Sequence, residues 1–224
     1  MKKGLTELIM ILDRSGSMGG LESDTIGGFN SMIEKQKQED GEAFVSVILF
    51  DHISEVIADR VPIQEVKPMT AEQYYVRGTT ALLDAIGNAV HHIRTVHRYA
   101  RKEDLPEKTM FIIITDGMEN ASRHYTYEKV KKMIERRKEK DHWEFLFLGA
   151  NIDAAAEAGR VGISSKRAVN YEHDGEGTRL NYRVIADAVS LARRAETAED
   201  MCSMMETGAP LRAIRDDYKR RHRN

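Results

Sequence analysis

Three oxygen-bearing side chains stand at alternate positions in 13-DRSGS-17: Asp13, Ser15 and Ser17, directly after the apolar run 8-LIMIL-12. Two later segments carry donors of the same kind. One is 77-RGTTAL-82, with Thr79 and Thr80; the other is 116-DGMEN-120, with Asp116. Carboxylates and hydroxyls are hard donors, which suit Mg²⁺, Ca²⁺ or Mn²⁺ rather than a soft metal. Two carboxylates and three hydroxyls, one donor each, do not fill a six-coordinate dication. Waters would take some positions, and at least one would stay open to an outside ligand such as a partner's carboxylate. Taken alone, Asp13 and Ser15 have a second reading, as a turn that caps a helix.

The elements around these segments decide whether they can meet. Residues 7-ELIMIL-12, 44-FVSVILF-50, 110-MFIIIT-115 and 144-EFLFLGA-150 are short, nearly continuous apolar runs, the pattern of strands buried on both faces. Between them, 22–39, 81–100, 126–140, 153–160 and 178–195 place apolar residues at helical spacing; Leu82, Ile86, Ala89, Val90, Ile93 and Val96 share one face. Residues 53–61 follow the second strand through Asp51 and His52, which predicts a hairpin and one antiparallel edge strand, and 167–172 supply a last strand. The alternation implies an α/β fold, a doubly wound, mostly parallel sheet of about six strands with helices on both faces. In such sheets ligands bind beyond the carboxyl ends of the strands. The three donor segments stand at two such strand ends and before the long middle helix.

Composition narrows the function classes. The chain has 224 residues, 41% of them hydrophobic, and a net charge of −2, so no global basic footprint points to nucleic acid. One cysteine, Cys202, excludes a disulfide framework within the chain and fits a reducing compartment. Lys2 and Lys3 precede an apolar stretch, but Glu7 interrupts it and Asp13 ends it, far short of a membrane span. We therefore expect a soluble, cytoplasmic protein. Residues 1–195 read as one domain and 196–224 as a helical, basic C-terminal extension, with six Lys/Arg against two Asp over 212–224. That last piece reads as a solvated, fraying helix, and Met201, Met204 and Met205 as core packing.

With its following Met18, Asp13-Arg14-Ser15-Gly16-Ser17 resembles the D-x-S-x-S pattern of von Willebrand factor type A domains. Gly-x-Thr-Ala-Leu at 78–82 and Thr-Asp-Gly at 115–117 are similar to that family's second and third motifs, and the likeness covers roughly residues 5–195. The resemblance implies the Rossmann-like fold of that family and a metal-ion-dependent adhesion site. It implies direct metal ligation by Ser15 and Ser17, with Asp13 acting mainly through water. Thr80, with Thr79 as the alternative, would be the second-loop ligand, and Asp116 would complete the site. Mg²⁺ is the expected ion, with Ca²⁺ and Mn²⁺ as alternatives. The expected partner is a protein that supplies an Asp or Glu.

Other residues are weaker candidates. Glu119 and Asn120 read as loop or cap groups. His91, His92, His97 and His124 read as surface histidines, while Arg14 and Met18 are expected at the rim of the site. The competing class is a metal-dependent hydrolase or phosphotransferase at the same sheet end. That chemistry wants a nucleophilic Asp with a second Asp two residues on, where this chain has Ser15. No phosphate loop is present, since 16-GSMGG-20 lacks the lysine. We therefore expect a binding module and no enzyme.

Overall fold

The computed structural model describes residues 1–223. Six strands form one sheet: β1 (Lys2–Asp13), β2 (Ala43–Phe50), β3 (Ser54–Pro62), β4 (Pro106–Asp116), β5 (Glu144–Ala150) and β6 (Ala168–Asn170). Their order is β3-β2-β1-β4-β5-β6. Every neighbouring pair is parallel except the edge hairpin β2–β3. Seven helices complete the described chain: α1 (Glu22–Lys37), α2 (Leu82–Tyr99), α3 (Tyr127–Asp141), α4 (Ala154–Arg160), α5 (Gly175–Arg194), α6 (Ala198–Glu206) and α7 (Arg212–Arg221). The expected α/β, doubly wound architecture with one antiparallel edge strand is what the chain adopts.

Strand residues alternate between two cores. Leu8, Met10 and Leu12 of β1 face a cluster that includes Phe29 of α1, Tyr182, Ile185 and Val189 of α5, and Met201 and Ile214 of the last two helices. Ile9 and Ile11 face the opposite cluster, with Leu82, Ile86 and Val90 of α2, Val130 and Ile134 of α3, and Ala158 of α4. A strand with apolar residues on both faces can only be stable between two helix layers, and this sheet has them. Several helix starts are fixed by side chains: Thr126 caps α3, Asp153 caps α4, and Asp174 caps α5 by accepting from the Gly177 amide at 2.7 Å.

Two strands run further than their apolar cores predict. β1 begins at Lys2 and β4 at Pro106, and polar residues are buried in both extensions. The charged ones along these strands, Lys108 and Glu7, are paired, while Thr6 Oγ1 is buried without a hydrogen-bond partner. Lys108 Nζ donates to the carbonyls of Arg193 at 2.7 Å and Ala195 at 2.6 Å. Glu7 is held by Arg60 and His97, so His97 is an internal partner and not a surface group. The C-terminal segment does not fray as expected. Met201, Met205, Leu211 and Ile214 are buried in the α1/α5 core while Met204 stays exposed, and Arg167 ties α6 to β5 through Glu144 and the Cys202 carbonyl.

Candidate metal centre at the carboxyl end of the sheet

β1 and β4 lie side by side at the centre of the sheet, with Leu12 opposite Ile114. The chain leaves β1 at Asp13 and β4 at Asp116, so both carboxylates emerge at the same end. On either side of this pair the strand order runs in opposite directions, which makes it the position where doubly wound sheets open a crevice. The loop before α2 is brought to the same place by backbone bonds. The Gly16 amide donates to the Gly78 carbonyl at 3.1 Å, the Arg77 amide to the Arg14 carbonyl at 2.9 Å, and the Ala81 amide to the Asp51 carbonyl at 2.7 Å.

Asp13 is buried, and its carboxylate accepts three bonds. They come from the Ser15 amide to Oδ1 at 2.7 Å, and to Oδ2 from Thr115 Oγ1 at 2.8 Å and the Asp116 amide at 3.1 Å. Burial pushes its pKa above the ordinary carboxylate value, against the opposing pull of those bonds. Ser15 Oγ lies 3.1 Å from Ser17 Oγ, and Ser17 Oγ donates to the Asp116 carbonyl. Ser15 precedes a short 3₁₀ turn over Gly16–Met18 but its side chain makes no capping bond. The hydroxyl is thus not used in the way the helix-cap reading requires.

Gly117 shows how closely the loops converge. A Cβ built on it would lie 3.4 Å from Ser17 Oγ and 3.8 Å from Thr80 Oγ1, and its φ of 145° is one that L side chains rarely adopt. Hydroxyls from the first and second loops therefore face the third. Thr80 is buried, and its backbone is clasped by Asn120: its amide donates to Asn120 Oδ1 at 2.9 Å and its carbonyl accepts from the Asn120 amide at 3.0 Å. Thr79 is exposed and lines an adjacent cleft.

Asp116 is fully buried. Its Oδ1 accepts from Asn151 Nδ2 at 2.5 Å. His173 Nδ1 comes within 2.9 Å of Oδ2, but the approach is not aligned as a hydrogen bond, and Oδ2 is left without a hydrogen-bond partner. Burial raises the Asp116 pKa; His173 and Asn151 oppose that, and nearby Asp13 adds to it. Two buried carboxylates that repel one another, one with an unpartnered oxygen, form a centre that a cation would stabilise. Among the described residues no group of three or more His, Cys, Asp or Glu assembles elsewhere into a metal cluster. The donor set here depends on hydroxyls.

All five predicted residues, Asp13, Ser15, Ser17, Thr80 and Asp116, are thus brought to one end of the sheet. Asn151 and His173 were missed. Both follow strand ends, β5 and β6, so applying the sheet-end rule to every strand would have found them. Arg14 and Met18 are not rim residues as expected; both are buried. Arg14 Nε donates to Asp51 Oδ2 at 3.0 Å and Arg14 NH2 to Glu55 at 2.7 Å, so its charge is spent inside the loop. Glu119 accepts from the Leu83, Ala121 and Ser122 amides and from Ser122 Oγ, as a loop and cap group does.

A family model described as "VWA domain containing CoxE-like protein" matches residues 2–143. Among solved structures, proximal thread matrix protein 1 from the mussel byssus is similar at a TM-score of 0.56 and 16% identity, over 85% of this chain and 46% of that one. It is a form with a zinc-occupied MIDAS motif. The ArnB paralog VWA2 from Sulfolobus acidocaldarius gives 0.52 and 16%, over 83% and 45%. The vWF domain of the type V pili tip protein Mfa5 from Porphyromonas gingivalis gives 0.61 and 10%, over 87% and 98%. At these identities the likeness is one of fold. This chain spans less than half the length of the byssus and Sulfolobus proteins. No curated protein matches the sequence.

Proposed function

The chain belongs to the family of VWA domain containing CoxE-like proteins, and from that premise we propose that it is a metal-ion-dependent protein-binding module whose cation is held by Asp13, Ser15, Ser17, Thr80 and Asp116. The observation that carries the proposal is the convergence of three loops at Gly117, next to the buried Asp116: Ser17 Oγ, itself 3.1 Å from Ser15 Oγ, and Thr80 Oγ1 both face it. Ser15, Ser17 and Thr80 are the direct ligands in this reading. Both oxygens of Asp13 are already engaged by Ser15, Thr115 and Asp116, which supports its action through water and as the organiser of the loop. Bound there, a divalent cation supplies an open coordination position for an Asp or Glu of a partner protein. The all-oxygen donor set favours Mg²⁺, with Ca²⁺ and Mn²⁺ as alternatives. The zinc-occupied motif of the byssus protein supports a divalent ion at this position of the fold.

The same geometry argues against hydrolysis. Asp13, the residue a phosphatase would use as nucleophile, is 1% exposed, and both its oxygens are held by hydrogen bonds from its own loops, which leaves it poorly placed to attack a substrate. No helix among the described residues is long and apolar enough to cross a membrane. With a single cysteine, the proposed setting is the reducing cytoplasm.

The test is thermal unfolding of the full chain in EDTA and in Mg²⁺. The native protein should melt higher with Mg²⁺, by RT ln(1 + [L]/Kd) of added stability, which is about 2.7 kcal/mol at a hundredfold excess over Kd. Ser15→Ala should melt like the native protein in EDTA and lose the Mg²⁺ increment. Asp13→Ala is the poorer probe, because it also strands the Ser15 and Asp116 amides. An undiminished Mg²⁺ response in Ser15→Ala would overturn the site assignment.

A further inference from the structure

Beside the centre lies a cleft of about 680 Å³ that starts at Thr79 of the second loop and Asn120 of the third and runs past His52 to Arg123 and His124. Its electrostatics are one-sided. The acid in its lining, Asp84, has both oxygens occupied by this chain's own backbone: Oδ2 accepts from the Arg123 amide at 2.8 Å, and Oδ1 from the His124 and Tyr125 amides at 2.9 Å each. Glu119, next along the loop, is likewise consumed by three amides and a hydroxyl. The cationic side is not consumed. Arg123 is exposed, and among the described residues its guanidinium forms no ion pair or hydrogen bond; His124, also exposed, forms no ion pair, while Lys129 is engaged, donating to the His124 carbonyl at 3.3 Å and standing over the Tyr125 ring. His52 Nδ1 is turned to Asp51, at 2.8 Å, against the second loop.

An unpaired guanidinium in a cleft with no spare carboxylate is a site built for a carboxylate from outside. We propose that this cleft sets the choice of partner: it takes a protein segment with a second Asp or Glu near the one bound at the cation. Arg123 pairs with that second acid, and His52 and His124 line the same cleft. A segment with a basic residue there meets like charge and is rejected. This rests on the reading of the centre as a cation site open to a partner carboxylate. Arg123 makes the better mark of the two loops' charges because its side chain supports nothing in the fold. Its backbone amide, which does, is untouched by substitution.

The test is an NMR titration of the ¹⁵N-labelled full chain, with Mg²⁺ and with EDTA, read at backbone amides and at the Arg123 side-chain N–H. Such titrations measure millimolar affinities. The probes are nine-residue glycine-serine peptides, one with a single central Glu and a set with a second Glu at each other position. At one or more spacings the second Glu should tighten Mg²⁺-dependent binding about two- to fivefold, the effect of one exposed ion pair, and shift the Arg123 side-chain signal. Arg123→Glu should abolish that gain and favour peptides with Lys at the same position. Equal Mg²⁺-dependent affinity for one-Glu and all two-Glu peptides would overturn the inference and leave the cation site standing. If no peptide binds in an Mg²⁺-dependent way, the cation-site reading falls, and this inference with it.

Discussion

Asp51→Ala should be among the most damaging single changes near the centre, although Asp51 is not one of the proposed ligands. Its Oδ2 accepts from Arg14 Nε at 3.0 Å and Arg77 Nε at 2.8 Å, and its Oδ1 from the Ile53 amide at 3.0 Å. It therefore ties the first loop to the second. The Arg14 and Asp51 side chains are both 0% exposed, so deleting the carboxylate leaves a guanidinium buried without its one fully buried counter-charge. Removing one partner of a buried pair costs about 3–5 kcal/mol. Arg14 keeps Glu55 at 2.7 Å and the Gln73 carbonyl at 3.3 Å, which puts the expected loss at the lower end. A loss of about 3 kcal/mol in a domain of this size lowers the melting temperature by about 6–12 °C. Urea and thermal unfolding in EDTA would measure this without any contribution from metal. Replacing Arg14 as well, as Asp51→Ala with Arg14→Met, should recover much of the loss, because the stranded charge is then gone. The effect also has a pH signature. Burial alone would raise the Asp51 pKa, but Arg77, the Ile53 amide and Arg14 outweigh it and hold the carboxyl below its ordinary value. A depressed folded pKa gives stability that is present above the unfolded value, about 4, and is lost as the pH falls through the folded one. The gap between native and variant should therefore narrow on acidification. A loss under about 1 kcal/mol at neutral pH, the worth of an exposed ion pair, would refute the view that this carboxylate locks the two loops together.

Two further outcomes follow from the loops. Asp84→Ala should cost about 2–3 kcal/mol, since it strands the three amides at 123–125 that a carboxylate now satisfies; urea midpoints would show it. Burial raises the Asp84 pKa, but those amides and His124 more than offset this and hold it low, so this difference too should shrink toward acid pH. Gly78→Ala should cost about 1–2 kcal/mol for a left-handed φ of 67°, and more if His52 cannot yield, because the new Cβ would lie 2.5 Å from its Nδ1. Calorimetric titration of that variant should also show weaker Mg²⁺ binding, since the Gly78 carbonyl holds the Gly16 amide.

How much of this was legible beforehand depended on whether the signal was local. The strands of the sheet announced themselves as apolar runs, and the alternation of strand and helix fixed the sheet-end geometry that brings Asp13, Thr80 and Asp116 together. What escaped was long-range polar pairing. Nothing near Lys108 in the sequence says that it will be satisfied by carbonyls at the end of α5, so the start of β4 was placed too late. Arg14 sits between two proposed ligands and looks like a rim residue until Asp51 and Glu55, more than 35 positions away, are seen to capture it. His173 and Asn151 stand just after β6 and β5, where the sheet-end rule points, but their reach to Asp116 is likewise long-range.

The most direct measurement is a crystal structure of the protein grown with Mn²⁺ and recorded at an anomalous wavelength for that metal. The account predicts one strong anomalous peak between the first, second and third loops, bonded to Ser15, Ser17 and Thr80 and flanked by Asp13 and Asp116. An empty centre at saturating Mn²⁺, or a peak bound by other residues, would contradict it.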